Sequence, residues 1–241
     1  MQYRKFGNTG IEVSALGFGC MRLPLSEDGT IHEEKAIAMI RRAIDEGVNY
    51  VDTAYPYHQG TSEYVVGKAL KDGYREKVYL ADKLPVWLLE SEEDFDKYLD
   101  EQLKKLETDH IDFYLLHALS RERFEEKVKK FNLTKKLEEA RAAGKIRYIG
   151  FSFHDSLDVF KEIIDYYDGW DFCQIQYNYI NTKYQAGTEG LKYAAGKGLG
   201  VIVMEPLLGG KLANLAPHVA EMFPEGKSHV EYALDFIWDQ P

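Results

Sequence analysis

The sequence predicts one α/β domain of the parallel barrel type, a TIM (β/α)8-type barrel preceded by an N-terminal β-hairpin. Short apolar runs alternate with amphipathic helical patterns along the chain, and neither a linker nor a low-complexity stretch interrupts them. The length of 241 residues suffices for one large core. Parallel pairing is expected because each crossover between successive strands contains a helix.

The predicted strands begin with a hairpin. Two short strand-like runs, 3–6 and 11–13, flank the turn Gly7-Asn8-Thr9-Gly10. A first buried strand follows at 15–20, and its glycines allow a close approach of the backbone. The other six strands are expected at 48–52, 78–81, 111–116, 146–151, 172–177 and 199–204.

Amphipathic helical patterns separate these strands. The pattern over 32–46 places Ala36, Ile40 and Ile44 on one face, and Gly47 ends it. A Ser or Thr caps the helix over 61–70. The remaining helices are expected at 91–106, 121–143 with a break near Asn132, 156–167, 188–197 and 228–238.

Seven strand–helix units are counted, whereas a closed barrel has eight strands in about 250 residues. The chain stops at Pro241, directly after the seventh helix, so no residues remain for an eighth strand. Two architectures fit this count. One is an open doubly wound sheet, and the other is a single barrel domain over residues 1–241 that is C-terminally incomplete.

Composition narrows the functional classes. The net charge is −10 and no long basic run occurs, so nucleic acid is not an expected partner. Cys20 and Cys173 form neither a disulfide framework nor a metal-ligand spacing. No apolar run reaches the roughly 18 residues of a membrane helix. We therefore expect a cytoplasmic protein without a membrane partner.

Reactive side chains follow the predicted strands. In a parallel barrel the working residues lie at the carboxyl ends of strands. Those ends carry Asp52 with Tyr57, then Lys83, then His117. Each residue has an ordinary alternative: Asp52 as a helix cap, Lys83 as a solvated side chain, His117 as a core histidine. Packing alone does not explain all four at successive strand ends, and the set predicts a catalytic site.

Several motifs resemble the aldo-keto reductase family over nearly the whole chain. They include Gly17-Phe18-Gly19, Asp52-Thr53-Ala54 with Tyr57 five positions after Asp52, Lys83-Leu84-Pro85, and the segments 112–117, 145–152 and 205–207. The Tyr-Pro-Tyr-His form of the loop at 55–58 is similar to a bacterial branch that carries a C-terminal iron–sulfur segment. The clustered cysteines of that segment are absent here.

The resemblance implies reduction of a small aldehyde or ketone, or the reverse reaction. Tyr57 would be the general acid, and Tyr55 is its rival two residues away. A free tyrosine has a pKa near 10, and an adjacent Lys83 ammonium would lower it. Asp52 would hold Lys83 in place, and His117 would orient the carbonyl. A monomer or a weak homo-oligomer is expected.

The hydride must come from a cofactor, because no side chain donates one. The family implies NADP(H), with NAD(H) left open. Ser152 and Gln174 occupy the positions that grip the nicotinamide carboxamide, although Phe153 replaces the usual asparagine. The full set of cofactor-binding residues implied by the resemblance is Gly19, Cys20, Met21, Asp52, Ser152, Gln174, Met204, Pro206, Leu207, Gly209 and Lys211.

Two other functional classes stay open at this point. A nicotinamide-binding sensor, or an inactive barrel fragment, would bind the cofactor without turnover. A metal-dependent barrel hydrolase would require Asp52, His117 and His154 as ligands. No His-x-His or His-x₃-His pair supports such a metal site, so no metal is expected.

Overall fold

The computed structural model describes all 241 residues and contains a seven-stranded parallel sheet preceded by an antiparallel hairpin. The hairpin consists of β1 (Tyr3–Lys5) and β2 (Glu12–Ser14). The parallel strands are β3 (Phe18–Gly19), β4 (Tyr50–Asp52), β5 (Tyr79–Leu84), β6 (Ile111–Leu119), β7 (Ile146–Phe153), β8 (Phe172–Gln176) and β9 (Gly200–Met204).

These seven strands pair in the order in which they occur along the chain. A doubly wound sheet reverses its strand order at a switch point, so that alternative is wrong. Sequential parallel pairing is the arrangement of a barrel wall. The outer strands β3 and β9 have one strand neighbour each and do not pair with one another.

Nine α-helices lie between and after these strands, and none has the length and apolarity to cross a bilayer. They are α1 (Glu33–Asp45), α2 (Ser62–Ala69), α3 (Asp94–Leu106), α4 (Arg121–Arg123), α5 (Leu133–Ala142), α6 (Leu157–Tyr166), α7 (Gly187–Gly196), α8 (Pro217–Ala220) and α9 (His229–Trp238). The predicted helices are present, and the predicted break near Asn132 is confirmed by its left-handed φ of 48°. The π-helical stretch Phe124–Lys129 and the short α8 were not predicted.

Several strand boundaries differ from the prediction. The first strand was expected at 15–20, but only two residues pair with β4. By contrast, β5, β6 and β7 continue beyond their predicted ends, because ladder pairs such as Lys83 with Leu115 and Leu119 with Phe153 extend them. Lys83, His117 and Ser152 therefore lie within the last residues of their strands, and ladder pairs hold the backbone of Lys83 and Ser152.

The N-terminal hairpin covers the bottom of the barrel. The Phe6 ring packs edge-on against Phe113, with 5.1 Å between ring centroids, and 5.8 Å from Phe172. Phe6 belongs to an interior cluster that also contains Val13, Tyr50, Ala81, Phe113, Leu115 and Phe172. A separate cluster of 43 buried residues fills the space between the sheet and the helices. The opposite end of the barrel is left for a site.

Helix α9 spans the side on which β3 and β9 form the sheet edges. Its Trp238 indole donates a hydrogen bond of 3.0 Å to the Ala15 carbonyl, just before β3. Its Phe236 ring stacks on Tyr177, which follows β8, at 5.6 Å between centroids. The last helix thus contacts the segment before β3 and the segment after β8.

The close packing of α2 on α3 gives a stability prediction. A Cβ added at Gly67 would lie 2.8 Å from the Leu106 carbonyl oxygen and 2.9 Å from the Lys105 carbonyl oxygen. Gly67→Ala should lower the free energy of unfolding by roughly 1–3 kcal/mol, because two helix backbones must separate. Urea unfolding measures this change. The matched control is Gly196→Ala, whose Cβ meets nothing within 4 Å and should not destabilise. Equal stability of the two variants would contradict the packing.

Candidate active site

A buried lysine stands at the centre of the open end of the barrel. The Lys83 ammonium donates hydrogen bonds to the Asp52 carboxylate at 2.5 Å and to the Thr53 carbonyl at 2.7 Å. Lys83 is 1% exposed. Burial is the largest single effect and by itself favours the neutral amine, but the Asp52 carboxylate and the Tyr57 hydroxyl together outweigh it and raise the pKa of Lys83. Lys83 is therefore a cation at neutral pH.

The Tyr57 phenol is the next partner of this ammonium, with 3.3 Å between Lys83 Nζ and Tyr57 Oη. Left-handed backbone at His58 (φ 50°) and Gln59 (φ 57°) turns the loop after Tyr57. The His58 ring then accepts a hydrogen bond of 3.1 Å from the Leu23 backbone N–H. By contrast, the Tyr55 hydroxyl donates to Glu101 on α3, away from Lys83.

The net pKa of Tyr57 differs from the sequence-based expectation. Burial raises the pKa of the phenol above its usual value, and the Asp52 carboxylate adds to that rise. The Lys83 ammonium acts in the opposite direction, as expected, but it is the smaller effect beside burial. The expectation of a lowered pKa is therefore wrong for the protein alone, and Tyr57 is a neutral hydrogen-bond donor.

His117 lies across the opening from Tyr57, with 6.1 Å between ring centroids and an interplanar angle of 82°. Its Nδ1 is buried without a hydrogen-bond partner. Burial lowers the pKa of His117 well below its usual value, and the positive charge of Lys83 lowers it further. The imidazole is consequently neutral at pH 7.

The backbone after His117 is constrained. Ala118 has a left-handed φ of 55°, which is uncommon for a residue with a Cβ. The Ser152 hydroxyl accepts a hydrogen bond of 2.7 Å from the Ala118 N–H, and an Arg123 N–H donates to the Ala118 carbonyl at 2.7 Å. The pairing of β6 with β7 shifts register between Leu116 and Leu119. Two side chains thus hold the turn that presents His117.

A second buried polar network supports Lys83 from behind. The Gln102 amide donates to Asp82 at 2.7 Å and to the Lys83 carbonyl at 3.0 Å. The Tyr114 hydroxyl donates to the Gln102 oxygen at 2.7 Å. Burial and the nearby Glu63 carboxylate raise the pKa of Asp82 well above its usual range. This network fixes the backbone of Lys83 from the helix side of the sheet.

The residues expected at the nicotinamide lie at the same opening. The Gln174 amide N–H donates to the second Asp52 oxygen at 3.1 Å, which leaves the Gln174 carbonyl oxygen without a protein partner. Ser152 is 1% exposed and already accepts from Ala118. Cys20 is fully buried in the core, so the structure does not support the contact expected there. Gly19 and Met21 are exposed beside it.

The loop after β9 has the features of an anion cradle. Glu205 and Leu208 adopt left-handed φ values of 55° and 49°, followed by Gly209 at 65° and Gly210 at 93°. The Arg22 guanidinium donates to the Gly209 carbonyl at 3.4 Å. Neither Arg22 nor the exposed Lys211, which follows Gly210, has a carboxylate partner. Met204, Pro206 and Leu207 are half-buried along the same segment.

Three site residues were missed by the sequence analysis. Trp87 packs on His117 at 5.1 Å between centroids, and Arg123 holds the Ala118 turn. Gln102 is fully buried on α3, where Leu103 was expected to face the core. A polar residue in register with Phe95, Leu99 and Leu106 was a usable signal for Gln102. No local signal marks Trp87 or Arg123.

The residues considered as metal ligands are not assembled into a metal site. No group of three or more His, Cys, Asp or Glu side chains is arranged to hold an ion. His154 instead contacts the Gln185 amide at 3.2 Å through its Nδ1. Asp52, Tyr57, Lys83 and His117 do converge at one opening.

The lowered pKa of His117 predicts a pH dependence of stability. Below about pH 6.5 the unfolded chain binds a proton at this residue while the folded chain does not. The free energy of unfolding therefore decreases as the pH is lowered. Between pH 6.5 and 5 the loss from this residue should be about 1.6 kcal/mol. The free energies of unfolding of wild type and His117→Gln, measured in the same buffers, isolate the contribution of His117, because the variant has no imidazole at this position to titrate. Parallel pH curves for the two proteins would contradict the lowered pKa.

Comparison with known proteins is consistent with this geometry. The family model "Aldo/keto reductase family" matches residues 15–231. The chain is 32% identical to L-galactose dehydrogenase of Arabidopsis thaliana over 248 aligned residues, covering 97% of this chain and 74% of that protein. It is 36% identical to the probable aldo-keto reductase 1 of Glycine max, covering 61% of this chain and 44% of that protein. The match thus spans less than half the length of the soybean relative.

Solved structures agree with the sequence comparison. The holo form of aldo-keto reductase AKR11C1 from Bacillus halodurans superposes with a TM-score of 0.83 at 28% identity, covering 98% of this chain and 82% of that chain. The thermostable aldo-keto reductase Tm1743, solved with the inhibitor epalrestat, superposes with a TM-score of 0.76 at 27% identity. With the family model covering most of the sequence, the chain belongs to the aldo/keto reductase family.

Proposed function

We propose that this protein reduces an aldehyde or ketone with a hydride from NAD(P)H, with Tyr57 as the general acid. One observation carries the proposal. A single buried ammonium, that of Lys83, lies 2.5 Å from the Asp52 carboxylate and 3.3 Å from the Tyr57 hydroxyl. The Tyr57 ring lies 6.1 Å from the His117 ring, edge to face, across the opening. This set supplies a proton, a counter-charge for the group that loses it, and a neutral donor beside it.

Tyr57 would donate its proton to the carbonyl oxygen as that oxygen gains negative charge. The raised pKa keeps the phenol protonated before the reaction, which a general acid requires. The proton leaves a phenolate 3.3 Å from the Lys83 ammonium, where opposite charges attract strongly because water is excluded. The ammonium thus stabilises the product state of the proton transfer.

Asp52 and Thr53 would keep the ammonium in place. The carboxylate holds Lys83 in its charged form, and the second carboxylate oxygen is itself held by Gln174. The Thr53 carbonyl accepts another ammonium hydrogen. With two ammonium hydrogens directed to Asp52 and Thr53, the third is directed to Tyr57.

His117 would orient the substrate. We assign the proton of its neutral ring to Nε2, because an unpaired acceptor at the buried Nδ1 costs less than an unpaired donor. Nε2–H then points to the opening and donates to the same carbonyl oxygen that Tyr57 protonates. The Trp87 ring packs against the imidazole and limits its rotation.

The cofactor would bind where three features of the chain suit it. The free Gln174 oxygen accepts from a carboxamide, the 209–210 glycines allow a close backbone approach, and Arg22 with Lys211 offers positive charge to a pyrophosphate. A bound nicotinamide dinucleotide supplies the hydride that no side chain can donate. We favour NADP(H) from the family, and we retain the cytoplasmic location and the monomer or weak homo-oligomer as predictions.

Replacement of the proposed acid tests this function. Tyr57→Phe should lower kcat for aldehyde reduction by about 10²-fold or more, because the proton donor is lost. The Kd for NADPH, measured by its fluorescence, should change less than threefold, because the role proposed for Tyr57 is toward the substrate. Consumption of NADPH with a panel of aldehydes gives the rate.

The matched control is Tyr55→Phe. The Tyr55 hydroxyl donates to Glu101 and is not directed at Lys83, so turnover should persist in this variant. Equal loss in both variants would show that the loop, and not the phenol at position 57, is needed. Binding of NADPH to the wild type without its consumption would favour the cofactor-binding sensor over the enzyme.

A further inference from the structure

Arg123 is an arginine at the opening with no acidic partner. The chain contains 40 acidic and 30 basic residues. More than half of its lysines and arginines lie within 4.0 Å of a carboxylate oxygen. Arg121, two positions earlier, pairs with Glu162 at 2.9 Å. Arg123 has no carboxylate oxygen within 4.0 Å and is only half-buried. In an acidic protein, a free guanidinium beside the reacting groups requires an explanation.

The side chain of Arg123 is held in a defined orientation. One guanidinium N–H donates to the Ala118 carbonyl at 2.7 Å, and the guanidinium carbon lies 4.9 Å from the centre of the Trp87 ring. Its backbone N–H donates to the Ser120 hydroxyl at 3.4 Å. A guanidinium has five N–H donors in a planar fork, so most of them remain available to a ligand.

The held guanidinium contacts the same Trp87 ring that packs on His117. The Trp87 centroid lies 5.1 Å from that of the imidazole. The two ring distances place the guanidinium carbon no more than about 10 Å from the His117 ring. The charged and titratable groups that act on His117 are Lys83, His154 and Arg123. Lys83 is paired with Asp52, and burial lowers the pKa of His154, so Arg123 is the unpaired cation on this side of the imidazole.

We propose that Arg123 binds a carboxylate of the carbonyl substrate, so that the preferred substrates are aldehydes or ketones carrying a carboxylate. With C–C bonds of about 1.5 Å, a carboxylate roughly two to five carbons from the carbonyl reaches both Arg123 and His117. The planar fork matches the two oxygens of a carboxylate. This inference rests on the proposed carbonyl reduction and adds the substrate class.

A purely structural role for Arg123 makes a different prediction. Through the Ala118 carbonyl, Arg123 helps to hold the strained turn that presents His117. Loss of that role would slow the reduction of charged and neutral substrates by the same factor. Loss of a carboxylate contact would slow only the charged one, so the ratio of the two rates separates the roles.

The experiment compares 4-carboxybenzaldehyde with its methyl ester, which has the same skeleton without the charge. The wild type should favour the acid in kcat/KM by about tenfold, a modest factor because the guanidinium is half-exposed. Arg123→Gln should lower kcat/KM for the acid about tenfold more than kcat/KM for the ester, and any fall for the ester measures the loss of the Ala118 contact. Arg123→Lys should retain part of the preference, and the control Arg121→Gln should retain all of it.

Other outcomes are distinguishable. An equal fall for acid and ester in Arg123→Gln assigns only the structural role and overturns the inference, as does a wild type without preference for the acid. If the wild type reduces neither compound, calorimetric binding of 4-carboxybenzaldehyde to wild type and Arg123→Gln decides it. Weaker binding to the variant then supports the carboxylate contact although the proposed reduction has failed, and equal binding overturns the contact.

Discussion

The buried pair of Lys83 and Asp52 is the constraint on which the rest of the site depends. A charge taken out of water is costly, and the pair at 2.5 Å is tolerated because its remaining donors and acceptors are also satisfied. The Thr53 carbonyl takes a second ammonium hydrogen and Gln174 donates to the carboxylate. Such a pair contributes more to the positioning of the side chains around it than to the stability of the fold, because its geometry admits few alternatives.

The charge states of the site residues follow from that pair and from burial. Lys83 and Asp52 neutralise each other, whereas burial keeps Tyr57 and His117 uncharged. Two neutral donors thus face the opening above one internal ion pair. Any charge that develops on a bound carbonyl would meet donors that are already oriented, which is the condition for strong stabilisation in a low-dielectric pocket. The network of Gln102, Asp82 and Tyr114 extends this order into the helix layer.

Several strained backbone conformations lie around the same opening. Five of the residues other than glycine with left-handed φ, namely His58, Gln59, Ala118, Glu205 and Leu208, lie in loops or strand ends beside the site. Such conformations persist only where surrounding contacts hold them. Here Leu23 holds His58, and Ser152 with Arg123 holds Ala118. The barrel wall supplies rigid strand ends, and these five strained residues lie in the segments that follow or connect them.

The order of strands and helices was determined by the sequence alone, because the periodicity of apolar residues is a local property of the chain. The same is true of the convergence of Asp52, Tyr57, Lys83 and His117, since parallel strands place their carboxyl ends at one edge. The sequence did not determine how far β5, β6 and β7 continue, because ladder pairs with neighbouring strands decide it. Nor did it determine the net pKa of Tyr57, whose sign depends on burial. Tertiary packing alone brought Gln102, Trp87 and Arg123 to the site. The partners of Gln102 and Trp87, namely Lys83 and His117, are distant in sequence. Arg123 contacts Ala118 across a turn whose strain the sequence does not reveal.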